Sequence, residues 1–364
     1  MAVAASQTVN YDRLYSTTTA HNRHKVAYQI VQANRLVWWL FRSRSVMYEG
    51  GTESAQPVVL EETDNVRGTD PYEEFDTAVE DGPDSARYID TFRTIGSMKL
   101  SESEKAKNRG KAKVVSLSRA KQTTMRLSFQ NELSKQIFGT NSASPKNIRG
   151  LQDLIHAAAD GTQSGVVNAQ TATVGLISKT NYANWRNRYR QISTFGDNGL
   201  DQMETVHMQC TEMGRSPNIA PMDSAVYRFL KKEFGPNQRE SSKIWPEGFK
   251  NILFEGTPTY PEKQLDNTGR IYMLTTSGDG MDPRHDLKPE DFKTVGGMDV
   301  MEEFEGNPGI YLPVLKGRDF AMTPFRTPHN GDYVVRHLIL ESYGLCTNSM
   351  KNQGVLDFSG TVEY

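Results

Sequence analysis

Apolar positions recur at helical spacing in some stretches of this chain and alternate in others. From His24 to Arg42, Val26, Ile30, Ala33, Val37 and Leu40 step at helical intervals, and Trp38, Trp39 and Phe41 widen the apolar face at its end. Gly50–Gly51 then permits a sharp backbone change. "AQPVVLEETDNV" (55–66) and "ARYIDTFRTIGSMKL" (86–100) read as two extended pieces around an acidic, turn-rich stretch. A ribbon this poor in apolar residues is marginal alone and is expected to lie on another surface. Ser101 and Glu104 form a capping-box pattern that opens a long helix. Met125, Phe129, Leu133 and Ile137 step at i+4 along it, and Gly139 is its expected stop.

Beyond the linker "GTNSASPKNIRG", Leu151–Ala159 reads as a short helix, followed by loop and short strands to about residue 191. Asp197 is the expected cap of a helix carrying Met203, Val206, Cys210 and Met213, ended by Gly214. "PNIAPMDSAVYRFLKKEFG" reads as a strand, a cap at Asp223 and a helix. "FKNILFEGTPTY", "GRIYMLTT", "RDFAMTPFR" and "DYVVRHLILESYG" read as strands. The order of elements predicts an α+β fold, without regular βαβ alternation and without internal repeats.

Charge changes this picture. The 364 residues carry a formal net charge of −2, but the signs are segregated. Residues 1–45 hold six basic residues and one acidic; residues 49–84 hold twelve acidic and one basic; residues 99–135 hold ten basic and three acidic. Such blocks suggest surfaces made for other surfaces, or solvated faces with a disordered acidic loop. Residues 1–22, rich in Thr and Ser, read as a flexible arm. In "KAKNRGKAK", lysines at every second position would line one side of a strand but encircle a helix. No run reaches the roughly 20 apolar residues of a membrane helix, and the N-terminus lacks a signal-peptide pattern. Two cysteines make no disulfide framework and fit a reducing cytoplasm.

Catalytic patterns are missing: no P-loop, no G-x-S-x-G, no H-E-x-x-H and no paired C-x-x-C. "SGDGMDPRHD" gathers Asp279, Asp282, His285 and Asp286 but lacks the spacing of an EF-hand loop, so a polar loop is expected there. Cys210 is expected to be a buried inert thiol, and His337 a core residue. Lys-to-Asn isopeptide chemistry needs a placed acid or base, and no lysine lies between Val46 and Met98 of the ribbon. No metal, cofactor or enzymatic activity is expected.

Taken in order, "NRLVWWLFRSRSVMYEGG", "DTAVEDGPDSARYIDTFRTIGSMKLSESEKAKNRGKAKVVSL", "LQDLIHAAADGTQSGVVNAQTATVGLISKTNYANWRNRY" and "FKNILFEGTPTYPEKQLDNTGRIYML" resemble major capsid proteins of tailed bacteriophages. The resemblance runs over roughly residues 25–358. It implies the Hong Kong 97-type capsid fold and a structural, self-assembling subunit of an icosahedral head around double-stranded DNA. By that resemblance, residues 1–45 are an N-terminal arm and 46–100 an extended loop lying on a neighbouring subunit. Residues 101–199 are a peripheral domain with a spine helix at 101–139. Residues 200–310 are an axial domain, and 311–364 return to the peripheral domain. Expected interface residues are Trp38, Trp39, Arg42 and Arg44 in the arm, and Glu61, Glu62, Asp64, Glu73, Glu74 and Asp76 in the loop. Some of Lys105, Lys107, Arg109, Lys111 and Lys113 are expected to face DNA phosphates, or else to pair with acidic ribbons or keep the helix soluble.

The implied partners are further copies in pentamers and hexamers, packaged DNA without sequence specificity, a portal, and separate scaffolding or decoration proteins. The implied location is the virion, assembled in a bacterial cytoplasm. An encapsulin-like compartment shares the shell physics without DNA. A soluble enzyme of unknown chemistry, or a nucleic-acid-binding protein acting alone, would leave the acidic block unexplained.

Overall fold

In the computed structural model the described residues are 35–42, 47–48, 50–58, 60, 84–101, 103–104, 111–141, 144–157, 173–211, 216–234, 252–276, 309–328 and 333–358. Along the chain come α1 (Arg35–Arg42), β1 (Met47–Tyr48), β2 (Glu53–Val58), β3 (Asp84–Ile89), β4 (Phe92–Ser101) and the long α2 (Lys111–Phe138). Next are α3 (Leu151–Leu154), β5 (Thr173–Val174), β6 (Ile177–Ser178), β7 (Arg188–Ile192), α4 (Leu200–Cys210), β8 (Ala220–Met222) and α5 (Ser224–Phe234). Then follow β9 (Ile252–Phe254), β10 (Thr257–Pro261), β11 (Arg270–Met273), β12 (Ile310–Tyr311), β13 (Val314–Leu315) and β14 (Ala321–Met322). The last are β15 (Tyr333–Ser342), β16 (Cys346–Thr347) and β17 (Gly354–Phe358).

The i+4 row on α2 is buried as its spacing requires: Met125, Phe129, Leu133 and Ile137 all lie in the core. Half of the capping box forms, since the Ser101 N–H donates to Glu104 Oε2 at 3.1 Å. The helix stops before Gly139, whose N–H turns back to the Gln136 carbonyl. Against α2 lies a five-stranded sheet. Its spine is β15, paired over ten residues with β4 from Phe92↔Ser342 to Ser101↔Tyr333. β13 and β14 pair with the other side of β15, and β1 adds to β13 in parallel. Gly96 lets strand and helix approach: a Cβ there would lie 3.1 Å from the Phe129 ring and 3.3 Å from Met125.

The second sheet has six strands in the order β7-β17-β11-β8-β10-β9. Its residues alternate between two cores, as the two-residue period of a strand demands. Ile192, Met222, Ile271, Met273 and Leu356 pack with Met203, Val206 and Cys210 of α4 and with Val226 and Leu230 of α5. Tyr189, Tyr260, Tyr272, Leu274 and Val355 face the other way into the large core, which also holds α1 and the buried row of α2. Gly354 admits α4 to β17, since a Cβ would come within 2.6 Å of Val206 and 2.9 Å of Cys210. Asp223 caps α5 as expected: Oδ1 accepts the Ala225 N–H and Oδ2 the Gly269 N–H.

Several local expectations change. The piece 86–100 is two strands in different sheets, broken at Asp90, which takes a left-handed φ of 75°. The helix expected over 151–159 ends at Leu154. There the Leu154 carbonyl accepts from Lys179 Nζ, and the His156 N–H is taken by Asn187 Oδ1. Asp197 lies inside a π-turn, Phe195–Gly199, that precedes α4, and is not its cap. β7 and β17 pair with each other and belong to the six-stranded sheet. Among the described residues no helix is long and apolar enough to cross a membrane, and no metal-ligating cluster forms. The stretch 277–286 lies outside the described residues.

Candidate assembly surface

The ribbon rises from a base fixed to its own chain. β2 and β3 pair antiparallel from Glu53↔Ile89 to Val58↔Asp84. Ser54, Val58, Ala86 and Tyr88 are buried beneath it. The Tyr88 hydroxyl donates to the Thr347 carbonyl at 2.7 Å and accepts the Thr347 N–H at 3.1 Å. Burial pushes this phenol well above its ordinary value, so it remains a donor. The Arg149 guanidinium lies 5.4 Å from the Tyr88 ring and 5.6 Å from that of Phe92. Further ties are Arg87 N–H to the Gly175 carbonyl (2.8 Å), Asn184 Nδ2 to the Leu60 carbonyl (2.8 Å) and Tyr343 hydroxyl to the Gly51 carbonyl (2.9 Å). The ribbon base therefore needs no neighbour. The expected interface carboxylates Glu61, Glu62, Asp64, Glu73, Glu74 and Asp76 lie outside the described residues.

The helix before the ribbon also turns inward. Trp39 was expected at a subunit contact, but it is 1% exposed and its indole N–H donates to Thr276 Oγ1 at 3.0 Å. It is a core residue of its own chain, with Leu36, Val37 and Leu40 beside it. One turn earlier, Arg35 donates to the Pro261 carbonyl at 3.1 Å and lies 5.1 Å from the Tyr260 ring. Trp38 and Arg42 lie on α1 with side chains outside the described set, and Arg44 lies outside it altogether.

Of the basic set, Lys105, Lys107 and Arg109 lie outside the described residues. Lys111 and Lys113 open α2, so this part of the run is helical. Their side chains lie outside the described set.

The clearest open surface is on β4. Phe92, Thr94, Met98 and Leu100 are buried toward α2, while Arg93, Ile95, Ser97 and Lys99 are exposed on the other face. Ile95 is 48% exposed beside its cross-strand neighbour Ile339. Arg93 pairs with Glu341 at 2.8 Å, and the Lys99 amine sits 5.5 Å from the Tyr333 ring. Along the edge of β4 away from β15 runs a groove of about 550 Å³, whose other wall is Lys121, Thr124, Met125, Ser128, Phe129 and Glu132 of α2.

Chemistry that sequence reading missed lies deep in the chain. Lys179 is wholly buried, and its amine reaches the Leu154 carbonyl (2.9 Å), Asn187 Oδ1 (2.8 Å) and His156 Nδ1 (2.9 Å). Burial holds the amine well below its ordinary value; burial and then Lys179 lower His156 to about 3. Every acceptor is a protein group, so the cluster reads as a clasp joining three segments. Polar residues at 156, 179 and 187 share no period, so no local signal announces it. Cys210 and Cys346 are both buried, as inert thiols are.

No protein-family model matches the chain, and no curated protein matches its sequence. A solved structure from the cyanophage A-1(L) capsid asymmetric unit superposes with a TM-score of 0.52 at 11% identity, over 89% of this chain and 92% of that one. The chain has a phage capsid fold. Two further similar structures are the capsid of a native GTA particle (TM-score 0.48, 13% identity, 88% and 89% covered) and the SrpI encapsulin of Synechococcus elongatus (0.47, 9%, 90% and 88%).

Proposed function

We propose that the chain is the major capsid protein of a tailed phage, a structural subunit of Hong Kong 97 type that self-assembles into an icosahedral head around double-stranded DNA. The observation that carries this reading is the agreement of the whole fold with a cyanophage capsid subunit. In this reading the five-stranded sheet and α2 form the peripheral unit, with α2 as spine helix. The six-stranded sheet with α4 and α5 forms the axial unit, which thus takes in β7 and β17 besides residues 200–310. The virion is its location after assembly in a bacterial cytoplasm, with a portal and separate scaffolding or decoration proteins as partners.

The ribbon base is anchored in its own chain, and the acidic run beyond it is the part that meets a neighbour in this reading. Single exposed ion pairs contribute about 0–1 kcal/mol, and strength comes from repetition in a closed symmetric shell. Charge steers registration and penalises wrong docking. Changing Glu61, Glu62 and Asp64 together to lysine should reduce particle yield at least tenfold; normal particles would refute the role of these carboxylates. Part of the lysine run at 105–113 faces DNA phosphates without reading bases. Electron microscopy of the expressed protein with its scaffold, together with nucleic-acid content, tests the whole reading. Closed shells that fill with DNA are expected. A discrete monomer, or shells holding protein cargo and no nucleic acid, would overturn it.

A further inference from the structure

Lys179 is a basic group in the core without a counter-charge. It is fully buried, and among the described residues no carboxylate pairs with it. Burial lowers the amine, so its uncharged form is favoured there. A desolvated, uncharged amine is a nucleophile. Three groups surround it: the Leu154 carbonyl at 2.9 Å, His156 Nδ1 at 2.9 Å and Asn187 Oδ1 at 2.8 Å. In the imidazole tautomer with its proton on Nε2, Nδ1 accepts. The two N–H groups of the amine then go to Leu154 and His156, and its lone pair is left toward the Asn187 amide.

That amide is held in place on both of its polar atoms. Oδ1 accepts the His156 main-chain N–H at 3.2 Å, a donor set where negative charge would develop on the oxygen. Nδ2 donates to the His156 carbonyl at 2.9 Å and to the Arg188 carbonyl at 3.4 Å, which fixes which atom is nitrogen. The amide carbon lies one C=O bond, about 1.2 Å, beyond Oδ1, so it is at most about 4 Å from the amine. A reacting pair needs roughly 3–3.5 Å, a shift of under about 1 Å. Nucleophile, proton acceptor, oxyanion donor and oriented amide thus share one dry site.

We propose that Lys179 and Asn187 of one chain join in an isopeptide bond, with His156 carrying the proton. Nζ attacks Cγ, and the carbonyl electrons move onto Oδ1. His156 Nδ1 takes one proton from Nζ. The proton passes to Nδ2 as the Cγ–Nδ2 bond breaks and the carbonyl re-forms. One amide replaces another, one ammonia leaves, and nothing is oxidised or reduced. An imidazole lowered to about 3 releases the proton readily in the second half of the step. The bond ties the end of β6 to the start of β7. The β5–β6 hairpin holds the ribbon base through the Gly175 carbonyl and the Arg87 N–H, and β7 belongs to the six-stranded sheet. The linkage therefore staples the ribbon base to that sheet, chiefly by restricting the unfolded chain. It lies within one chain and stands independently of the shell reading.

Mass spectrometry of the full-length, folded wild-type chain tests this without any variant. On trypsin digestion Lys179 should resist cleavage and carry the dipeptide Asn187–Arg188, one ammonia lighter than the two peptides together. Normal cleavage after Lys179, with Asn187 intact, overturns the proposal. So does Asn187 recovered as aspartate, since the amide would then be meeting water. An ammonia loss that persists in Asn187→Ala would place the reaction elsewhere and overturn it equally. In chains followed from synthesis, His156→Gln should form the bond at least tenfold more slowly than the wild type, with folding checked by the denaturant midpoint. A folded His156→Gln chain that links at the wild-type rate removes His156 from the step. Should that variant fail to fold, the wild-type peptide still decides whether the bond exists.

Discussion

The two sheets of this molecule are finished to different degrees. The six-stranded sheet is covered on both faces, one by α4 and α5 and the other by the large core, and its edge strands are short. The five-stranded sheet has one face on α2, leaves Arg93, Ile95, Ser97 and Lys99 of β4 exposed on the other, and has a β4 edge along which no strand pairs among the described residues. A chain that can close one sheet has the means to close both. Leaving the second open is what a subunit needs if neighbours are to complete it, and it fits a phage capsid fold.

The largest effect separating the two should come from the closed side. Trp39→Ala removes a fully buried indole and its bond to Thr276, and should destabilise the chain by about 3–5 kcal/mol. Urea unfolding of the unassembled protein measures it. A change near zero would return Trp39 to the role of a subunit contact.

Next in size is a pH effect at the join between α1 and the six-stranded sheet. Burial raises the Glu262 carboxyl from 4.5 to about 7, opposed by Arg35. The folded carboxyl holds its proton more tightly than the unfolded one. Its contribution to stability is therefore full below about 4.5 and is lost as pH rises toward about 7. Between these limits the loss is about 3 kcal/mol. His156, lowered to about 3, runs the opposite way over part of the range, so the difference between wild type and Glu262→Gln isolates the effect. Denaturant midpoints across pH 4–8 should be flatter with respect to this group in the variant; parallel curves would remove Glu262 from the account.

The smallest effect belongs to the open face. Ile95→Thr should change the stability of the unassembled chain by no more than about 0.5 kcal/mol, read from the same denaturant midpoints. A loss above about 2 kcal/mol would mean that this face is covered by its own chain, and the contrast between the sheets would fail.

What the sequence made legible follows how local each signal is. The buried row of α2 and the cap at Asp223 rest on residues within a few positions of one another, and both were readable. The break at Asp90 was not, because only pairing with two different sheets reveals it. The pairing of β17 was hidden for the same reason: its partners Arg188–Ile192 lie far away in sequence. The contact role of Trp39 was implied by the resemblance alone; its helical apolar spacing suits a core-facing helix equally, and the core that covers it is assembled from distant strands. The β4 groove left no sequence mark at all. An unpaired edge is defined by what fails to lie beside it.

Residue-resolved hydrogen exchange on β4, in the unassembled chain and in the assembled particle, tests the central claim most directly. In the lone chain, amides of Thr94, Gly96 and Met98 should be protected and those of Arg93, Ile95 and Ser97 should exchange fast; in the particle all six should be protected. A lone chain already protected at all six, or a particle that keeps the alternating pattern, would contradict the account.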